Sequence, residues 1–140
     1  MIRLLDLQTG HVSALPGSEG RGSPRWSPDG RYIAAMPEAR DKLLLFDFTT
    51  QKWTVLAQQQ ALWPRWSRDG KYIYFSSARD NDMSRVRIVD RKIERLASLK
   101  DFRLAPGVFG AWVGWTPDDK PLMLRDVGTQ DIYALEWQTP

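Results

Sequence analysis

The sequence has no cysteine and a single histidine, His11. The first absence excludes disulfide frameworks, thiolate zinc sites and cysteine nucleophiles together, and leaves the redox compartment open. The second excludes any site built on two imidazole ligands. Long apolar runs are missing too. Nothing approaches the ~18 consecutive apolar residues of a membrane span, and Met1 leads within one residue into an alternating segment, not a signal peptide. Neither sign of charge dominates: 20 Lys and Arg against 17 Asp and Glu leave +3, too little by itself to argue for nucleic acid. No window of about eleven residues or more carries a helical period. What remains is an ordinary globular composition, 42% hydrophobic and 26% charged over 140 residues. A chain of that length buries roughly two thirds of its unfolded surface and needs no metal or disulfide to fold.

The sequence repeats. Pro24-Arg25-Trp26-Ser27-Pro28-Asp29-Gly30-Arg31-Tyr32-Ile33 returns, shifted by 40, as Pro64-Arg65-Trp66-Ser67-Arg68-Asp69-Gly70-Lys71-Tyr72-Ile73. Lys52 to Ala57 returns at the same shift as Lys92 to Ala97. A third, eroded copy runs from Gly114 to Leu122, with Trp115 in the place of Trp26 and Trp66 and Asp119 where the turn glycine stood. Its shift of 89 from Trp26 also maps Leu45 to Phe48 onto Ala134 to Trp137. At the front, Leu5 to Gly10 matches Phe46 to Gln51, so the chain opens partway through a repeat.

Each repeat reads as short strands. Asp29-Gly30 and Asp69-Gly70 lie between alternating apolar stretches, the strongest short hairpin signal, because a type I′ turn needs positive φ at both central residues. The spacing predicts middle strands over Arg31 to Met36 and Leu43 to Phe48, then Lys71 to Ser76 and Arg85 to Val89. The joining turns fall at Pro37 to Lys42 and Ala78 to Ser84. Four-stranded antiparallel units recurring at ~40–45 residues indicate an all-β β-propeller. On this reading 1–18 ends one blade, 19–58 and 59–100 are blades, and 101–140 is an incomplete one, about three and a half repeats in all.

The motif P-x-W-S-P-D-G-[RK]-Y-I, followed by Tyr74 to Asp80, resembles the repeat of TolB-like, WD-repeat-like bacterial propellers. The resemblance covers roughly Met1 to Trp137 and is specific for fold and poor for function. It implies a bacterial module of the kind found in a Tol-system envelope protein, beside peptidases, or in the sensor halves of regulators. The tail from Leu124 to Leu135 is similar to the C-terminal propeller part of large signalling proteins, which implies a periplasmic or extracytoplasmic parent protein.

Catalytic chemistry finds little support. His11 lies in a turn with no serine in a G-x-S-x-G elbow. Asp118-Asp119 sits at a hairpin tip, where acids satisfy turn backbone. Asp80 to Ser84 places oxygens at alternate positions as a calcium loop does, but lacks the loop's glycine and has Arg91 where the bidentate acid belongs. Gly17 to Gly22 enters a strand and not a helix, so it lacks the N-terminus that makes a phosphate cradle. The basic residues from Arg85 to Arg103 are interrupted by Asp90, Glu94 and Asp101 and read as a solvated outer face. No catalytic residue, metal or cofactor is expected.

Binding has better candidates. Trp26, Trp66 and Trp115 hold one repeat position and are expected in blade cores, with Trp53 and Trp137. Trp63 and Trp112 lack equivalents in every repeat and precede the innermost strand, which lines a propeller's channel, so they are candidate ligand platforms. Arg25 and Arg65 precede the core tryptophans and point to the opposite face. They either ring the channel with positive charge, suiting an acidic peptide or carboxylate, or form interblade ion pairs.

The expectation is a non-catalytic interaction or ligand-sensing module with no nucleic acid and no membrane insertion. The competing reading is an accessory or catalytic propeller of a peptidase or sugar-active enzyme; a third is a piece that completes another chain's propeller. Closed propellers need about four to eight blades, so a homodimer closing a six-bladed ring is expected, leaving one strand per chain in excess. Ile2 to Leu7 and Ile132 to Trp137 compete for that place.

Overall fold

Glycine is required at the two Asp-Gly turns: Gly30 and Gly70 have φ of +72° and +70°, a conformation that a Cβ disfavours. Each turn reverses the chain between paired strands, but Asp29 and Asp69 do not share the positive φ, so these are not the type I′ turns expected from Asp-Gly. The computed structural model describes residues 1–105, 107 and 113–129. In it the strands are β1 (Arg3–Leu5), β2 (Val12–Ala14), β3 (Arg21–Trp26), β4 (Tyr32–Pro37), β5 (Leu43–Asp47), β6 (Lys52–Ala57), β7 (Leu62–Trp66), β8 (Tyr72–Ser77), β9 (Asp82–Arg87), β10 (Ile93–Ser98), β11 (Val113–Trp115) and β12 (Pro121–Met123). β3 to β6 form one antiparallel four-stranded meander and β7 to β10 the next, while β1–β2 and β11–β12 are two-stranded sheets. These are the blades of an all-β propeller.

The two pairs correspond to opposite halves of a blade. The turn after β1, with Gly10 N–H donating to Asp6 O at 2.9 Å, repeats the turn after β5, where Gln51 N–H donates to Asp47 O at 2.8 Å. β1 and β2 thus occupy the places of β5 and β6, the outer pair. β11 and β12 occupy those of β3 and β4, the inner pair.

Repeated side chains build the hairpins. Ser27 Oγ accepts the Tyr32 N–H at 2.8 Å and donates to Asp29 Oδ1 at 2.5 Å, and Asp29 in turn accepts the Arg31 N–H. Ser67, Asp69, Lys71 and Tyr72 repeat the arrangement. The serine hydroxyl and then the backbone N–H hold both aspartate carboxyls below their ordinary 3.8. Charged, these carboxylates support the native turn, and that support is complete above the ordinary carboxylate range and lost as pH falls through the lowered values. The thermal midpoint is therefore expected to stay nearly level from neutrality to about pH 5 and to fall below about pH 4. A midpoint that rises on acidification would contradict this.

The third hairpin departs from the pattern for a physical reason. Pro121 stands where Tyr32 and Tyr72 stand and has no N–H to give. Thr116 Oγ1 accepts from Lys120 N instead, at 2.9 Å, and the register tightens by one residue, so that Trp115 faces Pro121 whereas Trp26 faces Ile33. Asp119 takes the glycine's place with φ +64°, and its carboxylate accepts the N–H of Arg68 from the neighbouring blade.

Apolar layers fill the spaces between sheets. Ala34, Met36 and Leu45 of the first full blade meet Trp66, Ile73 and Phe75 of the second. Its other face, with Ile33 and Phe46, packs on Ile2, Leu4 and Leu15. On the far side, Tyr74, Met83 and Leu99 meet Trp115. Ser18, in the glycine-rich stretch from Gly17 to Gly22, is fully buried and anchors the chain's front by accepting the Ile2 N–H at 2.9 Å.

Two expectations need correction. β9 starts at Asp82, inside the segment assigned to a turn, because Met83 pairs with Ser76 and is completely buried. The oxygen alternation at Asp82 to Ser84 is that of a strand. Trp26 is not a core residue: it is 52% exposed, against 6% for Trp66 and 7% for Trp115. Each buried ring rests on the inner strands of the preceding blade. Trp66 stacks on Tyr32 at 6.2 Å and its Nε1 donates to Arg25 O at 3.0 Å; Trp115 lies 4.4 Å from Tyr74. The sheet before Trp26 has only its outer pair, so Trp26 stacks on Phe48 of its own blade, 4.9 Å away. Trp53 is half-buried, packed on Phe46, and donates to Pro16 O. Trp137 lies outside the described residues.

Candidate functional site

The inner strands β3, β7 and β11 run side by side. β3 and β7 each carry a bulge, between Gly22 and Arg25 and between Leu62 and Arg65. The bulged residues Ser23 and Trp63 have φ of +52° and +54°. A left-handed conformation at a bulky residue is strained, and bulges re-aim the side chains beside them. Here the result is that Trp63 stays 40% exposed on a strand where Pro64 and Trp66 are buried.

Three of the four candidate residues come together around one cavity of about 310 Å³. Arg25, Trp63 and Arg65 line it, with Val113, Trp115 and Leu122 closing the far side. Trp112 lies outside the described residues. The guanidiniums are held by backbone carbonyls: Arg25 Nη1 donates to Pro24 O at 2.9 Å, and Arg65 Nη1 to Trp115 O across the blade boundary. Among the described residues, no carboxylate lies within ion-pair distance of either arginine. Among the described residues, neither arginine forms the interblade ion pair considered from sequence. Each guanidinium keeps further N–H donors for a ligand.

Trp63 and Val113 also border a second cavity of about 260 Å³, floored by Leu62, Leu99 and Leu104 and edged by Arg40 and Asn81. Sequence reasoning missed Arg40 and Asn81. Both sit in turns between the second and third strands of their blades with positive φ, and turn residues that differ between repeats were the available signal.

The remaining candidates have structural partners. His11 is exposed at the β1–β2 turn, where its carbonyl accepts the Asp6 N–H. Asp118 pairs with Lys120 at 2.8 Å, and that contact, with Thr116, lowers its pKa. Arg85 and Arg87 of the basic stretch share Glu94 at 2.7 Å each and lie over the Tyr72 ring. Their hydrogen bonds hold the Glu94 carboxyl below its ordinary value, Arg85 contributing most. Among the described residues, no three His, Cys, Asp or Glu side chains are grouped to hold a metal ion.

No family model matches the chain, and no curated protein matches it by sequence. Solved structures do match. TolB from Acinetobacter baumannii superposes with a TM-score of 0.62 at 24% identity, over 84% of this chain and 30% of that one. An oligogalacturonate lyase from Vibrio parahaemolyticus gives 0.58 at 12% identity, over 84% of this chain and 36% of that one. The chain thus spans about a third of the length of either structure. With its repeat, its antiparallel four-stranded sheets and these likenesses together, the chain has the fold of a TolB-like β-propeller.

Proposed function

We propose that the chain is a non-catalytic binding module, that its channel-facing cavity takes an acidic peptide or carboxylate, and that a second copy closes its ring. The observation that carries the ligand class is the pair Arg25 and Arg65, both lining the cavity beside exposed Trp63 with no carboxylate partner among the described residues. A planar guanidinium fork matches a carboxylate with two parallel hydrogen bonds. An aromatic platform next to it adds apolar area at little entropic cost. His11, the sole imidazole of the sequence, does not border either cavity, which favours binding over acid–base catalysis.

Calorimetric titration tests this. A short Asp/Glu peptide is expected to bind the intact chain, its Asn/Gln counterpart to bind at least about tenfold more weakly, and the difference to shrink as salt screens the charges. Equal affinity for the two peptides would overturn the carboxylate reading. Oligogalacturonate, the substrate class in the lyase's name, presents the same carboxylates. Its cleavage by the chain would replace the binding reading with that of a sugar-active propeller.

A further inference from the structure

The buried tryptophans define what a blade boundary contains. Trp66 reaches back across the boundary, lies on Tyr32 and gives its N–H to the carbonyl of Arg25 on the preceding innermost strand. Trp26 holds the same repeat position but is half exposed, because the sheet before it offers only β1 and β2. Leu5 and Val12, a cross-strand pair on the face of β1–β2 turned away from Ile33 and Phe46, are 58% and 50% exposed as well. Among the described residues that sheet has no inner pair of strands, and β11–β12 is an inner pair without an outer one. β11–β12 has Trp115 seated on the blade before it, and Leu122 is 41% exposed.

We infer that β11–β12 of one copy pairs edge to edge with β1–β2 of a second copy, so that each seam is a four-stranded blade shared between chains, with Trp26 buried in it. This rests on the reading that two copies close the ring, and it adds which strands meet and which residue seals the joint. By the repeat shift of 89, Gly114 stands where Arg25 stands. The acceptor for Trp26 Nε1 is therefore the carbonyl of Gly114 of the partner subunit. β12 pairs along β1 as β4 pairs along β5, where Ile33 faces Phe46 and Ala34 faces Leu45. β1 comes already fixed for that role. Ile2 is buried, its N–H is held by Ser18 and its carbonyl accepts from Leu15, so the third blade position is supplied by a strand that is anchored before the partner arrives. Among the described residues each two-stranded half has an open hydrogen-bonding edge; in the seam the two cover one another's edges, and the two-fold makes both seams alike.

The cysteine-free sequence makes the seam directly readable. Leu5→Cys is combined with Leu122→Cys, and separately with Met123→Cys, the two together spanning the one-residue register difference of the third hairpin. Leu5→Cys with Val89→Cys serves as the control, Val89 being 85% exposed on the other blade. Mild oxidation is expected to give a covalent dimer from at least one of the first two and none from the control. Trp26→Ala is expected to raise the dimer dissociation constant at least about 30-fold, the threshold of an interface hot spot. Trp26→Phe, which keeps a ring but not the N–H, should fall between.

The outcomes separate the seam from the ring. If the unmodified chain sediments as a dimer but neither pair crosslinks, the seam is wrong and the ring reading survives. If the unmodified chain is a monomer, both fail. Bonds formed within single chains, or a ladder of covalent multimers, overturn the closed shared blade.

Discussion

Trp66→Ala is expected to destabilise the chain by about 3–5 kcal/mol, the cost of deleting a large ring from a packed core. Trp66 is 6% exposed and lies in the layer that joins the two complete blades, against Leu45 and Ala34 on one side and Ile73 and Phe75 on the other. The substitution removes the stacking on Tyr32 and leaves the Arg25 carbonyl without its donor. Urea unfolding at dilute, monomeric concentration measures it. Trp26→Ala, at the same repeat position but half exposed, should cost only roughly 1 kcal/mol under those conditions, in proportion to the smaller area it removes from contact. Equal losses at the two positions would mean that Trp26 is buried in the isolated chain.

The double change Arg25→Ala with Arg65→Ala is expected to weaken an acidic peptide by a factor on the order of 10²–10⁴. That is what two charge-assisted hydrogen-bonding groups at about 1.5–3 kcal/mol each amount to. Arg65 also holds the Trp115 carbonyl, so its loss has a structural component that must be separated. Arg65→Lys does this: it keeps the charge and loses the planar fork, and should weaken binding while unfolding stays near that of the parent. Calorimetry that gives parent affinity for the double variant removes both residues from the site.

The architecture was legible because its causes are local. A buried serine two residues before an aspartate and three before a glycine makes the same turn twice, and Ser27 and Ser67 show it bond for bond. The β9 start was not legible: Asp80 to Ser84 is polar enough for a turn, and only the pairing of Met83 with Ser76 draws the chain into the sheet earlier. Trp26 shows the limit of a repeat. The position was equivalent, but its burial depends on what precedes it in space, which no local pattern encodes. Arg25, Trp63 and Arg65 could be grouped in advance because strand alternation and repeat position are local properties. The Trp115 carbonyl that holds Arg65 comes from the contact between blades, and the left-handed bulge that leaves Trp63 exposed comes from the irregular pairing of β7 with β8.

Sedimentation velocity of the intact chain at micromolar concentration tests the central claim most directly. The account predicts one folded species at twice the 16.1 kDa chain mass, dissociating on dilution and shifted toward monomer by Trp26→Ala. A well-folded monomer across the whole concentration range would contradict it, and large polydisperse particles would show that the open edges pair without closing a ring.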